Sequence, residues 1–166
     1  NPRYDALAKT YEYRLFRDEI CPPFERRYVH HHPYSLNEAA MIVAARLLEG
    51  EHDFTAFAAS DEKDELGLSK VRRVFSSEMT RGVDRLIYRV RGSGFLKHMV
   101  RNIVGVLIEA GKGNLTADDV RDIRSAGAMG KSHMTLTDTL PDTFAGGGYA
   151  GSIGMVNQAG AFTYDV

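Results

Sequence analysis

Arg101 is a cation on a helix that is otherwise mostly apolar, and its chemistry depends on what that helix faces. Met99, Val100, Ile103, Val104, Leu107 and Ile108 recur at helical spacing and form a broad apolar arc. Arg101 lies at the margin of the arc beside Val104 and Ile108, with Gly105 one turn further along the same face. A glycine inside a helix costs about 1 kcal/mol relative to alanine, so another element or a substrate is expected to approach the backbone there. Spacing leaves two readings of Arg101 open: it meets a partner across that face, or it snorkels to solvent while Gly105 makes a packing contact. The other reactive groups read more plainly. Tyr11 and Tyr13, two residues apart, suit a cross-strand aromatic ladder. Cys21 with histidines elsewhere is a pattern for a thiol nucleophile, but a lone cysteine reads better as a bystander. His30, His31 and His32 are consecutive, so in a strand they point to alternate faces, and no Cys or carboxylate cluster stands near them at ligand spacing; no metal site is expected. His52-Asp53 could serve acid–base chemistry, but adjacent side chains seldom form a dyad. A turn closed by side-chain hydrogen bonds to backbone is expected instead, anchored by Phe54 and Phe57.

The elements that must position these groups follow from periodicity. Lys9 to Phe16 alternates, with Tyr11, Tyr13 and Leu15 on one face and Thr10, Glu12 and Arg14 on the other. Cys21-Pro22-Pro23-Phe24 is a turn or linker. Ser35-Leu36-Asn37-Glu38 reads as a capping box for a helix whose core face carries Leu36, Ala39, Ala40, Val43, Ala44, Leu47 and Leu48, ended by Gly50. Residues 60–70 form a charged loop. Val71–Met79 and Leu86–Arg91 are two strands joined near Arg81-Gly82-Val83-Asp84. Gly92 and Gly94 permit backbone angles or close approaches that a Cβ forbids, and Gly111 is expected to stop the helix that follows. Thr116-Ala117-Asp118-Asp119 caps a further helix carrying Val120 and Ile123. The order strand, helix, strand, strand, helix, helix predicts an α+β fold, an antiparallel sheet with helices packed on one face.

Composition bounds the class without deciding it. The chain has 166 residues, 43% hydrophobic and 26% charged, with a formal net charge of −1, as in an ordinary globular protein. Charge is unevenly placed: nine Lys or Arg against two acids from Lys70 to Arg101, and seven acids against one base from Glu49 to Glu65. That contrast is compatible with a local phosphate-binding face, or with strand faces that simply carry exposed arginines. The single cysteine fits a reducing compartment, and no run is apolar enough to span a membrane, so a cytoplasmic protein is expected. The start at Asn1-Pro2-Arg3 suggests a fragment or a processed product.

Gly94-Phe95-Leu96-Lys97-His98-Met99-Val100-Arg101-Asn102-Ile103-Val104-Gly105 resembles the G-F-L-x-x-M-V-R-N-I-V-G stretch of the tRNA pseudouridine synthase A (TruA) family. Three further segments resemble that family in the same order: Lys9-Thr10-Tyr11-Glu12-Tyr13-Arg14, Gly50-Glu51-His52-Asp53-Phe54-Thr55-Ala56-Phe57, and Val71-Arg72-Arg73-Val74. The resemblance covers about residues 1–124 and implies the C-terminal lobe of a two-lobed fold. It implies isomerisation of uridine to pseudouridine in the anticodon arm of tRNA, around positions 38–40 of the tRNA, with no metal or organic cofactor. It also implies a homodimer. By the same resemblance Tyr11 stacks on the target base, as a tyrosine ring can on any exposed π face, while Tyr13 keeps a structural role. Arg101 matches the residue that pairs with the catalytic aspartate; its planar guanidinium can hold a carboxylate bidentately and keep it ionised. Arg73, Arg91, Lys97, His98 and Phe95 are the expected RNA-binding residues.

Two departures matter. The aspartate that resemblance calls for lies in a G-R-T-D-x-G-V-H motif, and no Arg-Thr-Asp occurs in the 166 residues; Leu136-Thr137-Asp138 is the nearest pattern. The chain is therefore expected to be inactive without a missing N-terminal half, and to self-associate through an uncovered edge or apolar patch. Residues 125–166 form an atypical tail, with eight of the 16 glycines and only four Lys, Arg, Asp or Glu. Gly146-Gly147-Gly148 reads as a flexible linker. The T-A-P loop and G-L-x-L strand of the family are not found there, although Ala161–Val166 suits a strand. Two other readings are a plain RNA-binding module, since Arg91-Gly92-Ser93-Gly94-Phe95-Leu96 superficially resembles the RNP1 element, and an interaction protein with no RNA role. A salt-dependent RNA affinity separates them.

Overall fold

The computed structural model describes residues 7–59, 67–128 and 161–165. The loop reading of residues 60–66 and the linker reading of Gly146–Gly148 lie outside the described residues. In chain order the elements are β1 (Ala8–Phe16), β2 (His30–His31), α1 (Glu38–Arg46), β3 (Gly50–Asp53), a 3-10 turn (Thr55–Phe57), β4 (Val71–Arg81), β5 (Arg85–Gly92), α2 (Met99–Lys112), α3 (Ala117–Ala128) and β6 (Ala161–Asp165). The sheet order is β2-β1-β5-β4-β3, with β6 also paired to β1. The α+β expectation holds. The sheet is mixed rather than purely antiparallel, because the two-residue β2 runs parallel to the end of β1 at Leu15 and Phe16; a long connection, not a hairpin, joins them.

Alternation sets which face is core. Tyr13 and Leu15 of β1, Leu86, Tyr88 and Val90 of β5, and Val74 and Met79 of β4 are buried against Met41, Ala44, Ala45 and Leu48 of α1, the inner face of α2, and Val120 and Ile123 of α3. Helices cover this face of the sheet. On the other face a small separate cluster of Phe16, Cys21 and Val29 covers the Phe16 end of β1.

Three local expectations shift in register. Asn37, not Ser35, caps α1, its side chain accepting from the Ala40 amide at 3.1 Å. The later start moves the core face to Met41, Ala44, Ala45 and Leu48, and leaves Ala39 and Val43 exposed. Gly113, not Gly111, ends α2, since it holds the left-handed conformation at φ 84° and its amide donates to Ala110. Gly111 serves packing instead: a Cβ there would lie 2.7 Å from Met41 Sδ, and its carbonyl accepts from the Asn37 amide at 2.7 Å. The α3 cap is reciprocal, with the Asp119 amide donating to Thr116 Oγ1 at 3.2 Å and Asp119 Oδ2 accepting from the Thr116 amide at 2.7 Å. Ala161–Asp165 is a strand and runs antiparallel along the Tyr11 end of β1, Phe162 opposite Tyr11. Among the described residues no helix is long and apolar enough to cross a membrane.

Candidate functional site

The turn between β5 and α2 is built first by a missing side chain. At Gly92 a Cβ would lie 2.8 Å from the carbonyl oxygen of Arg73 and 3.2 Å from Phe95 Cζ. The close approach lets the Ser93 amide donate to Arg73 O at 2.9 Å, and the Arg73 amide donates to Ser93 Oγ at 3.2 Å. Gly94 is under no such constraint, its nearest neighbour being the Arg72 side chain at 3.9 Å. The turn then reaches His98, which enters α2 with a left-handed backbone at φ 61°.

A second clamp comes from the residues after β3. Asp53 Oδ1 accepts from the Thr55 amide at 2.9 Å and from its hydroxyl, closing the expected turn, while Phe54 and Phe57 are fully buried. That turn grips the start of α2. Asn102 Nδ2 donates to Phe57 O at 2.7 Å, and the Ala59 amide donates to Lys97 O at 3.0 Å. The His52-Asp53 pair thus contributes by shape; His52 Nε2 sits 2.7 Å from Glu49 O rather than against Asp53.

These clamps fix the sequence-predicted residues. Tyr11 is half-buried on β1, and Phe95 meets it edge-on with ring centroids 5.0 Å apart at 78°. The T-shaped arrangement suits the charge distribution of two aromatic rings. Arg101, half-buried on the first turn of α2, acts electrostatically on Tyr13 of the same strand as Tyr11. Burial pushes the Tyr13 phenol far up, with the nearby Arg101 cation pulling the other way. Burial likewise draws the Arg101 guanidinium below its ordinary value, and Tyr13 opposes that; arginine still carries its charge at neutral pH. Lys97 and His98 are exposed at the start of α2, and partial burial with the charges of Arg101 and Lys97 lowers the His98 imidazole.

The remaining candidates go elsewhere. Arg91 alternates with buried Val90 and Gly92, so it projects from the opposite face of the sheet, where its guanidinium lies 5.4 Å from the centroid of the Phe75 ring. Exposed Arg73 precedes buried Val74 and alternates away from the helices in the same way. The expected RNA-binding set is therefore split: Phe95, Lys97 and His98 gather with Tyr11 and Arg101, while Arg73 and Arg91 lie across the sheet. Phe95 lies beyond the end of β5, so no strand presents it as an RNP1 aromatic would be presented. Among the described residues, no group of three His, Cys, Asp or Glu is placed to hold a metal ion. Asn102 was missed in the sequence. Asn102 adjoins Arg101 but carries no spacing signal of its bond to Phe57.

Comparison with known proteins bears on this arrangement. A family model described as tRNA pseudouridine synthase matches residues 44–141. The chain is 70% identical over 115 residues to tRNA pseudouridine synthase A of Solibacter usitatus (strain Ellin6076), covering 69% of this chain and 48% of that protein. It is 44% identical over 124 residues to tRNA pseudouridine synthase A 2 of Bacillus anthracis, covering 75% and 49% respectively. With tRNA pseudouridine synthase A of Bacillus velezensis the identity is 39% over 124 residues, with the same coverage. The chain spans about half the length of the curated relatives it matches. The matched residues include Arg101, Asn102 and the turn that clamps them, and on this evidence the chain belongs to the tRNA pseudouridine synthase family.

Proposed function

We propose that this chain is the C-terminal lobe of an enzyme that isomerises uridine to pseudouridine in the anticodon arm of tRNA. In this reading Tyr11 stacks on the target base and Arg101 holds the nucleophilic aspartate. The single observation that carries the reading is the placement of half-buried Tyr11, its partner Phe95 and half-buried Arg101 where the end of β5 meets the start of α2. The target base must leave its stack to reach such a place. The aspartate attacks C1′ of the ribose as the glycosidic bond breaks, the uracil turns, and C5 attacks C1′, displacing the aspartate as a carboxylate, before the C5 proton is lost. Arg101 keeps the carboxylate ionised and aimed. Residues 1–124 form this lobe, and the G-R-T-D-x-G-V-H motif is supplied by a second half. The chain alone is inactive. The working enzyme is a cytoplasmic homodimer that needs no cofactor.

The experiment is tritium release from C5-labelled tRNA, with the chain alone and with the N-terminal half of the Solibacter relative supplied in trans. Release only on complementation is expected. Release by the chain alone overturns the assignment of the nucleophile to another segment. No release from a folded, tRNA-bound complex overturns the catalytic reading.

A further inference from the structure

Gly94 is a glycine that its own surroundings do not require. Its φ is not positive, and a Cβ there would meet only Arg72, with Cδ and Nε each 3.9 Å away. The missing side chain leaves one side of the β5–α2 turn bare, directly against Arg72. Arg72 was outside the residues expected to bind RNA, yet strand alternation puts it where Arg73 and Arg91 are not. It stands two residues before buried Val74 on β4, so both lie on the helix side of the sheet. Its register partner His52 is on that side too, 3.4 Å from Arg124 of α3. Arg72 is also held in place before any ligand arrives. Its Nη1 donates to Ser69 O at 2.8 Å and to Val71 O at 2.6 Å. The Val71 amide donates to Ser69 Oγ at 3.2 Å, and the Phe54 amide donates to Lys70 O at 3.2 Å, so the segment that carries Arg72 is itself fixed. The two carbonyl bonds engage one nitrogen of a planar fork that carries several N–H donors. The Nε side of that fork lies against the bare side of Gly94.

Resting on the reading of the chain as an RNA-modifying protein, we propose that Arg72 and the bare side of Gly94 form a seat for one backbone phosphate of the RNA. A phosphate matches the guanidinium fork in shape and charge. It also needs an approach to the turn that a side chain at position 94 would obstruct. The next residue, Phe95, meets Tyr11 edge-on, so the seat adjoins the target-base position and takes a phosphate flanking the reacting nucleotide. A protein carboxylate would fit the fork as well, but the aromatic pair beside the turn suits a nucleotide, which brings a base together with its phosphate. The seat accounts for a glycine whose replacement by alanine is expected to raise stability.

The test uses the chain itself and needs no catalysis. Fluorescence anisotropy would follow a labelled anticodon stem-loop RNA through a salt titration. Arg72→Gln is expected to weaken binding about tenfold at low salt. It should flatten the slope of log affinity against log salt by about 0.7, the share of one single-strand phosphate. Arg27→Gln removes an exposed charge from the connection that follows β1 and controls for net charge; its slope should match that of the unsubstituted chain. Gly94→Ala should melt higher yet bind more weakly, an opposition that a folding defect does not produce. Single methylphosphonate linkages, scanned through the RNA loop, should reveal one position where the unsubstituted chain loses as much as Arg72→Gln does. At that position Arg72→Gln should lose nothing further. Equal slopes with and without Arg72, an equal effect from Arg27→Gln, undiminished binding by Gly94→Ala, or no such position in the scan overturns the seat. Absence of RNA affinity in the unsubstituted chain overturns it as well. Tritium release from the complemented enzyme tests the catalytic reading separately, so RNA affinity that persists without Arg72 removes the seat and leaves that reading standing.

Discussion

Gly92 and Gly94 stand two residues apart in one motif, and replacing each by alanine should have opposite effects. At Gly92 the new methyl would lie 2.8 Å from a backbone oxygen, Arg73 O, and 3.2 Å from Phe95 Cζ. The oxygen belongs to β4 and also accepts from the Ser93 amide, so it cannot swing aside as a side chain can. Forcing extra volume into a packed site costs about 1–3 kcal/mol. Removing a glycine from the unfolded chain returns about 0.4–1 kcal/mol. The net expectation for Gly92→Ala is a loss of about 1–2 kcal/mol, a fall in Tm of roughly 2–8 °C for a chain of this size. Gly94→Ala meets nothing closer than 3.9 Å and has no positive φ, so only the unfolded-state gain remains and Tm should rise by roughly 1–4 °C. Thermal melts followed by far-ultraviolet circular dichroism measure both. The Gly92 variant should also displace Phe95, which would be seen as a changed shift of the Tyr11 ring resonances because the two rings touch. Equal melting temperatures for the two variants, or an unchanged Tyr11 environment in the first, would refute the claim that Gly92 sets the position of Phe95.

Three other outcomes are expected. Burial, with the charges of His30, Arg17 and Lys112, holds the His32 imidazole down at about 4, below its ordinary 6.5, against an opposing pull from Glu109. The folded protein therefore keeps His32 neutral where the unfolded chain protonates it, and the resulting stability is present above about pH 6.5 and lost as pH falls toward 4. The loss is about 3 kcal/mol; urea midpoints from pH 7 to 4 should show it, and His32→Gln should flatten that part of the profile. In the complemented enzyme, Arg101→Ala should lower turnover far more than tRNA affinity, and equal losses in both would make Arg101 a phosphate contact. Asn102→Ala removes the 2.7 Å bond to Phe57 O and should cost about 1–2 kcal/mol in denaturant unfolding, an unchanged midpoint counting against the clamp.

What could be read from the sequence was whatever repeats with the period of its own element. The strand from Leu86 to Arg91 announced β5, and the apolar arc from Met99 to Ile108 announced α2, because each is determined by residues two, three or four apart. β3 escaped for the opposite reason. Gly50-Glu51-His52-Asp53 is polar, short and without buried alternation, and it is a strand only because β4 pairs with it. The helix ends shifted by two residues where Ser35 and Asn37, or Gly111 and Gly113, were both acceptable locally and packing between α1 and α2 decided.

The same division runs through the candidate site. Arg101 stood out in the sequence because a cation at the edge of an apolar arc is anomalous within its own helix, but what holds the start of that helix did not. The bonds from Asn102 to Phe57, from Ala59 to Lys97 and from Ser93 to Arg73 join segments twenty or more residues apart, and none leaves a periodic trace. Together they tie the start of α2 to β4 on one side and to the turn after β3 on the other. A displacement of either support would carry Arg101 with it while leaving the residue and its motif intact. The turn at His52-Asp53-Phe54 therefore bears on the position of Arg101, because it fixes the point from which α2 begins.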